Sequence, residues 1–169
     1  DHCTPGKIAG FIGEPIAGNG GCITPEPEYF PRVYKHVKDA GGLYITDEVQ
    51  CGVGRTGDDF LGIQKWGVKP DIVDMAKGLG NGFPVGAVVT TREVADSLKG
   101  RNHFNTFGGN PVSCAVVDAV LEVIETEKLA HNAKVVGNYL IEKLRKVQSK
   151  DERIGEVRGM EMLAGWQQR

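Results

Sequence analysis

Long hydrophobic runs and an excess of charge of one sign are both missing from this 169-residue chain. No stretch approaches the roughly 20 apolar residues that a membrane-spanning helix needs. The formal net charge is −2, which gives no electrostatic reason to propose a nucleic acid or an anionic membrane surface as a partner. We therefore expect no nucleic acid and no membrane partner, and the apolar fraction of 40% is that of an ordinary globular protein.

Paired cysteines are missing as well. The four cysteines are far apart and form no CxxC pair, so they indicate neither a disulfide framework nor a zinc site; they are Cys3, Cys22, Cys51 and Cys114. The first residues lack an initiator methionine and the pattern of a signal peptide. Because the chain stops just after what reads as a new strand, we expect it to be an internal piece of a longer protein.

Apolar runs alternate with helical patterns along the chain, which predicts an α/β domain with a mostly parallel sheet flanked by helices. The predicted strands cover residues 8–12, 43–46, 71–75, 85–90 and 154–157. The predicted helices cover residues 28–40, 113–126 and 129–147. A further strand at 154–157, after the last helix, predicts a second domain. The two domains are then residues 1–127 and 128–169.

Polar residues stand where three of the predicted strands end. Glu14 follows the first strand, Asp47 and Glu48 end the second, and Lys77 follows the third. In open α/β sheets, ligands bind outside the carboxyl ends of the strands. We therefore expect the chemistry of this protein at that edge of the sheet.

The turn that holds Lys77 consists mainly of glycine. Gly78, Gly80 and Gly82 clear side chains from around the amine and let the backbone approach a ligand closely. A lysine held in a desolvated setting at the end of a buried strand loses its proton readily and acts as a nucleophile. The turn therefore predicts a lysine that forms a Schiff base.

Asp47 and Lys77 together indicate a specific cofactor. Their spacing along the chain fits a crossover between neighbouring parallel strands. A carboxylate beside a pyridine nitrogen favours the protonated pyridinium, which is the electron sink of pyridoxal phosphate, and the aldehyde of the same cofactor needs a lysine. Singly, Asp47 could be an ion-paired strand-end acid and Lys77 could cap a loop carbonyl, but jointly they favour pyridoxal phosphate.

Two nucleotide-binding patterns compete with this interpretation. The run 52–57 matches G-x-G-x-x-G after a strand, but the breakers behind it leave room for little more than two helical turns. The acidic strand end at Asp47 is similar to that of a P-loop ATPase, but the companion G-x-x-x-x-G-K-[ST] loop is absent. A Rossmann dehydrogenase or an ATPase domain is the alternative from another class.

Four ordered runs resemble a known family over essentially the whole chain, the class III (subgroup II) pyridoxal-phosphate-dependent aminotransferases; the runs are 14–16, 47–57, 70–78 and 106–111. Within that family, the run 103–111 is most similar to the mitochondrial alanine–glyoxylate branch. The resemblance implies part of the large domain of a fold-type I transferase over residues 1–127. It implies the start of the C-terminal small domain over residues 128–169.

The resemblance also implies roles for residues around the cofactor. Lys77 forms the Schiff base and shuttles the proton at the substrate Cα, and Asp47 holds the pyridine nitrogen. Val49 packs on one face of the ring, and Gln50 donates to its phenolic oxygen. Thr106 reaches the cofactor phosphate of the neighbouring subunit, which implies a homodimer or a higher homo-oligomer with shared active sites.

Glu14 resembles the family's gate, which pairs with a substrate-binding arginine when no α-carboxylate is bound. The structural alternative is an acid that accepts hydrogen bonds from amides at the strand end. The family's second phosphate loop, the aromatic on the other ring face and the carboxylate-binding arginine are expected outside this chain. The isolated chain is therefore expected to be inactive.

The activity that the resemblance implies is transamination, from an amino acid such as alanine to an oxo acid such as glyoxylate. The resemblance implies a mitochondrial location, and a cytoplasmic location is the alternative. A phospholyase of the same subgroup, acting on a phosphorylated amino alcohol or hydroxylysine, is the nearer alternative. Those enzymes tend to carry Lys-Pro where this chain has Lys77-Gly78, so Gly78 favours transamination.

Overall fold

Six strands and four helices form the part of the protein that the computed structural model describes, residues 6–169. The strands are β1 Gly10–Gly13, β2 Leu43–Asp47, β3 Ile72–Met75, β4 Ala87–Thr90, β5 Ile154–Met160 and β6 Leu163–Gln168. The helices are α1 Tyr29–Asp39, α2 Arg92–Asp96, α3 Pro111–Thr126 and α4 Leu129–Gln148. All the predicted strands and helices are confirmed with small shifts at their ends, and the structure adds α2 and β6.

The first four strands form one sheet in the order β1-β2-β3-β4. The β1–β2 and β2–β3 pairs are parallel, as predicted, whereas β4 runs antiparallel to β3. Only a turn at Lys77–Gly80 and a short loop separate β3 from β4, and a parallel pairing would need a crossover of a dozen or more residues. The sheet is therefore mixed but mostly parallel.

Helix α1 covers one face of this sheet. Tyr44 and Thr46 of β2 point to that face and are fully buried, next to Phe30 and Val37 of α1. Tyr44 adopts this position because strand side chains alternate between faces, so its neighbour Ile45 lies on the opposite face. A second apolar cluster joins β3 to α3, and its members include Val73, Met75, Leu79, Val117 and Leu121.

The glycines of the run 52–57 serve close packing. A Cβ on Gly52 would lie 2.8 Å from the Glu48 carbonyl oxygen, and one on Gly54 would lie 2.9 Å from Ala130 Cβ at the start of α4. A 3-10 turn at Gly62–Trp66 is the helical element that follows, and Gly57 opens no helix. The dinucleotide-binding interpretation of this run is therefore wrong, because its last glycine would have to open a helix packed on the sheet.

Helix α4 packs on the antiparallel β5–β6 hairpin. Gly137 faces the turn of the hairpin, where an added Cβ would lie 2.2 Å from the Glu161 carbonyl carbon. The helices within residues 6–169 include none that is long and apolar enough to cross a bilayer.

The cysteines that the structure describes are all free thiols, namely Cys22, Cys51 and Cys114, while Cys3 lies outside the described residues. Residues 6–169 also contain no cluster of acidic, histidine or cysteine side chains that could hold a metal ion.

Candidate active site

Three parallel strands deliver the predicted site residues to one edge of the sheet. Gly13 pairs with Thr46, so Glu14 follows β1 where Asp47 ends β2. Asp47 in turn pairs with Asp74 of β3, three residues before Lys77. Because the carboxyl ends of these strands coincide, the structure places Glu14, Asp47 and Lys77 along the same edge.

Asp47 is half-buried at the end of β2. Its Oδ1 accepts a hydrogen bond of 3.0 Å from the Val49 amide, which turns the chain at the strand end. Its other carboxylate oxygen accepts no hydrogen bond from any residue between 6 and 169. Asp47 therefore keeps one oxygen for a cationic partner.

Asp74 brings a second carboxylate beside Asp47. Its Oδ1 is buried and has no hydrogen-bond partner within the described part of the chain. Burial and, to a lesser degree, the charge of Asp47 raise the pKa of Asp74. Asp74 is therefore more readily protonated than an ordinary carboxyl, whereas the Asp47 oxygen without a hydrogen bond suits a cationic ring nitrogen.

Lys77 begins the 3-10 turn and has a left-handed backbone, with φ +44°. This conformation is uncommon for a residue other than glycine, and such strained residues cluster at functional sites. The side chain is exposed, and its Nζ forms no hydrogen bond or salt bridge within residues 6–169. The expected desolvated setting is therefore not provided by these residues, because the side chain is exposed.

Gln50 and Glu14 meet at Gly18. The Glu14 Oε2 accepts a hydrogen bond of 3.0 Å from the Gly18 amide. The Gln50 side chain covers Gly18, where an added Cβ would lie 2.4 Å from its Oε1. Glu14 thus accepts a backbone amide hydrogen bond near the strand end, as the structural alternative expects. Its role as a gate stays a prediction.

Thr106 lies in the loop before α3. It is exposed and forms no hydrogen bond with the other predicted site residues. Its neighbours Phe104 and Phe107 are 84% and 79% exposed, and Asn110 caps α3 by accepting a 2.9 Å hydrogen bond from the Ser113 amide. Thr106 therefore forms no direct bond with Asp47 or Lys77 of its own chain, and its role at the cofactor phosphate stays a prediction.

Residues 2–169 match the family model described as Aminotransferase class-III. The chain belongs to the class-III aminotransferases. It is 56% identical over 96% of its length to alanine–glyoxylate aminotransferase 2 homolog 2, mitochondrial, of Arabidopsis thaliana. It is 44% identical over 94% of its length to ethanolamine-phosphate phospho-lyase homolog 1 of Caenorhabditis elegans.

A solved ornithine aminotransferase of Toxoplasma gondii has the same fold, with a TM-score of 0.93 and 37% identity. The match covers 98% of this class-III chain and 39% of that enzyme, whose active site is partially occupied by PLP. The chain spans about a third of the curated relatives, 34% of the Arabidopsis protein and 34% of the nematode one. The α/β fold expected from the sequence is confirmed by this match.

The buried carboxylate of Glu48 is a feature of this class-III chain that sequence reasoning missed. Glu48 is fully buried, and its two oxygens accept hydrogen bonds from the amides of Gly62 at 2.8 Å and Ile63 at 2.9 Å. Burial raises the pKa of Glu48, against the opposing effect of these two donors. Glu48 thereby ties the 3-10 turn to the end of β2 and fixes the backbone between Asp47 and Gln50. Gly52 and Gly62 leave room for the Glu48 side chain, and these glycines were the signal in the sequence that could have indicated its burial.

The residues present fit pyridoxal phosphate. Asp47 has an uncommitted carboxylate oxygen for the pyridinium, and Lys77 has an accessible amine for the aldehyde. Val49 and Gln50 follow Glu48 in the chain, and their contacts with the ring stay predictions. The cradle for the cofactor phosphate is not formed by these side chains.

Proposed function

We propose that the intact protein is a pyridoxal-phosphate-dependent transaminase. The observation that carries this proposal is that an Asp47 carboxylate oxygen and a Lys77 amine, both without a hydrogen bond within residues 6–169, lie at the ends of adjacent parallel strands. Alanine as amino donor and glyoxylate as acceptor are proposed from the similarity to the Arabidopsis aminotransferase.

Each neighbouring side chain has a physical task in this proposal. When bound, the cofactor supplies the electron sink for the substrate Cα. Asp47 keeps the ring nitrogen protonated, while Lys77 binds the aldehyde and moves the proton at the Cα. Gln50 donates to the phenolic oxygen, and Val49 packs on the ring face.

Thr106 and Glu14 complete the proposal. The exposed Thr106 hydroxyl donates to the cofactor phosphate of a partner subunit, so that two copies share their sites, and the exposed Phe104 and Phe107 would be buried in that contact. Glu14 pairs with a substrate-binding arginine when no α-carboxylate is present. Residues 1–127 belong to the cofactor-binding domain and residues 128–169 to the small domain.

The phospholyase is the second candidate, and the similarity to the nematode phospho-lyase homologue supports it. The lower identity of that relative and the Gly78 that follows Lys77 favour transamination. Phosphate release from ethanolamine phosphate, measured beside alanine-dependent amination of glyoxylate, separates the two. Transamination without phosphate release supports the proposal, and the reverse result contradicts it.

The deciding experiment maps the cofactor-binding lysine. The intact protein is incubated with pyridoxal phosphate, reduced with borohydride and digested, and the modified peptide should contain Lys77. Lys77→Ala should abolish both labelling and turnover, whereas Lys69→Ala, which removes an exposed lysine eight residues earlier, should retain both. Labelling at another lysine, or tight nucleotide binding without labelling, would contradict the proposed function.

A mitochondrial location is proposed from the names of the relatives, which include the Arabidopsis homologue. Fractionation of cells that express the intact protein tests it, with recovery in the mitochondrial matrix as the expected result.

A further inference from the structure

Arg158 lies on β5, away from the site residues, and its guanidinium rests on the loop that follows Glu14. A Cβ added to Gly21 would lie 3.1 Å from Arg158 Nη2 and 3.7 Å from Cζ. The Arg158 side chain is 23% exposed and pairs with Glu156 at 3.3 Å. The β5–β6 hairpin therefore contacts the loop through the planar, largely buried guanidinium of Arg158.

The strand neighbour of Arg158 makes a second contact with the same loop. Gly165 of β6 pairs with Arg158 in the hairpin register. A Cβ added to Gly165 would lie 3.2 Å from Cys22 Sγ and 3.7 Å from the Gly21 carbonyl oxygen. Two paired hairpin residues thus hold two successive loop residues, both of which have positive φ, +106° at Gly21 and +55° at Cys22.

The loop itself is a closed unit that ends on the site residues. Ala17 and Ile23 exchange backbone hydrogen bonds of 3.1 and 3.3 Å. The Gly18 carbonyl accepts from the amides of Gly21 at 3.1 Å and Cys22 at 3.2 Å. The Gly18 amide in turn donates to Glu14, and the Gln50 side chain covers Gly18. A displacement at Gly21 is consequently transmitted to both side chains.

Stability alone does not account for Arg158. Its Nε is buried without a hydrogen-bond partner within residues 6–169, and an unpaired buried donor is destabilising. Its ion-pair partner Glu156 is 57% exposed, and such pairs contribute little. Neither the unpaired Nε nor the exposed ion pair gives Arg158 a stabilising role, so its contact with Gly21 needs another explanation.

We propose that Arg158 is a positioning residue, which acts through Gly21 and Gly18 to hold the Glu14 carboxylate and the Gln50 amide in place. The position of the β5–β6 hairpin is thereby coupled to the position of Glu14 at the edge of the sheet. The gate role of Glu14 in this inference rests on the proposed function, whereas the coupling between Arg158 and the loop does not.

The first test is hydrogen exchange of the intact protein with Arg158→Gln. The amides of Gly21, Cys22 and Ile23 should exchange roughly threefold to tenfold faster, the effect of weakening one net hydrogen bond. Gly165→Ala, which pushes on Cys22 without removing a charge, should give the same pattern. Arg153→Gln is the matched control, because Arg153 lies one residue before β5 and its side chain is 82% exposed. Equal exchange in Arg158→Gln and Arg153→Gln would overturn the proposal.

The second test is a double-mutant cycle with Glu14→Gln, read as separate kcat and KM values for the amino acid and the oxo acid. Arg158→Gln should change the ratio of the two KM values in the Glu14 protein and have no further effect in the Glu14→Gln background. Additive effects would overturn the coupling. If the unmodified protein shows no transamination, the proposed function fails, while the exchange experiment still decides on the loop contact.

Discussion

Gly18→Ala should damage the site while leaving the fold intact. An alanine Cβ would lie 2.4 Å from Gln50 Oε1, whereas ordinary contacts begin at 3.4 Å. The flexible end of Gln50 must therefore move by about 1 Å, enough to break the hydrogen bond that its amide is proposed to donate to the cofactor. The backbone at Gly18 has no left-handed strain, so alanine itself is tolerated there.

The two effects of this substitution differ in size. A hydrogen bond to a charged oxygen is worth about 1.5–3 kcal/mol, which corresponds to roughly a tenfold to hundredfold loss in kcat/KM if it is lost in the transition state. The free energy of unfolding should change by less than about 1 kcal/mol, because alanine restricts the unfolded chain and offsets the displaced side chain.

Steady-state kinetics and urea unfolding of the intact protein measure both quantities. Gly20→Ala is the control, since its Cβ would contact Ala17 at 3.3 Å and not Gln50. In a Gln50→Ala background, Gly18→Ala should have no further effect on kcat/KM. A full additional loss in that background, or an equal loss in Gly20→Ala, would refute the reasoning that Gly18 acts by making room for Gln50.

Three further predictions concern the residues around this site. Asp47→Asn keeps the acceptor for the Val49 amide but removes the charge, so stopped-flow measurement should show proton removal from the substrate Cα slowed by roughly a hundredfold or more, with little change in melting temperature. Because burial raises the pKa of Glu48, its folded form holds a proton at pH values where the unfolded form has lost it. Its contribution to stability is therefore complete below the unfolded pKa and decreases as pH rises, and urea unfolding across pH should show Glu48→Gln losing this dependence. Gly137→Ala should lower the free energy of unfolding by about 1–3 kcal/mol through overlap with Glu161, although alanine normally favours a helix, and the exposed neighbour Asn138→Ala should not.

The strands and helices could be predicted because their signals are local. Alternating apolar runs and helical stripes repeat within a few residues, and the observed bounds differ from the predicted ones by only a few residues. The antiparallel direction of β4 depends on the path of the chain after Lys77, which periodicity does not specify. The packing role of the run 52–57 depends on Ala130 and Glu161, far away in the sequence, so the motif alone suggested a nucleotide.

The candidate site was predictable to the extent that topology determines it. Parallel strands place their carboxyl ends at one edge, so Asp47 and Lys77 could be brought together from the sequence. The exposure of the Lys77 amine was not predictable, because desolvation depends on what packs over it. Arg158 gave no signal, since its contact with Gly21 joins segments at opposite ends of the chain.

Asp47 and Glu48 show how two adjacent acids acquire opposite tasks. Successive side chains at a strand end point to opposite faces of the sheet, so one acid faces the ligand edge and the other faces the core. The buried Glu48 meets two backbone amides that compensate for its lost hydration, and it becomes a support for the turn. Within residues 6–169, Asp47 accepts a hydrogen bond only from the Val49 amide and keeps an oxygen for a cation. The double substitution Asp47→Glu with Glu48→Asp exchanges the two acids, and it should therefore lose cofactor binding, followed by absorbance, even though the net charge is unchanged.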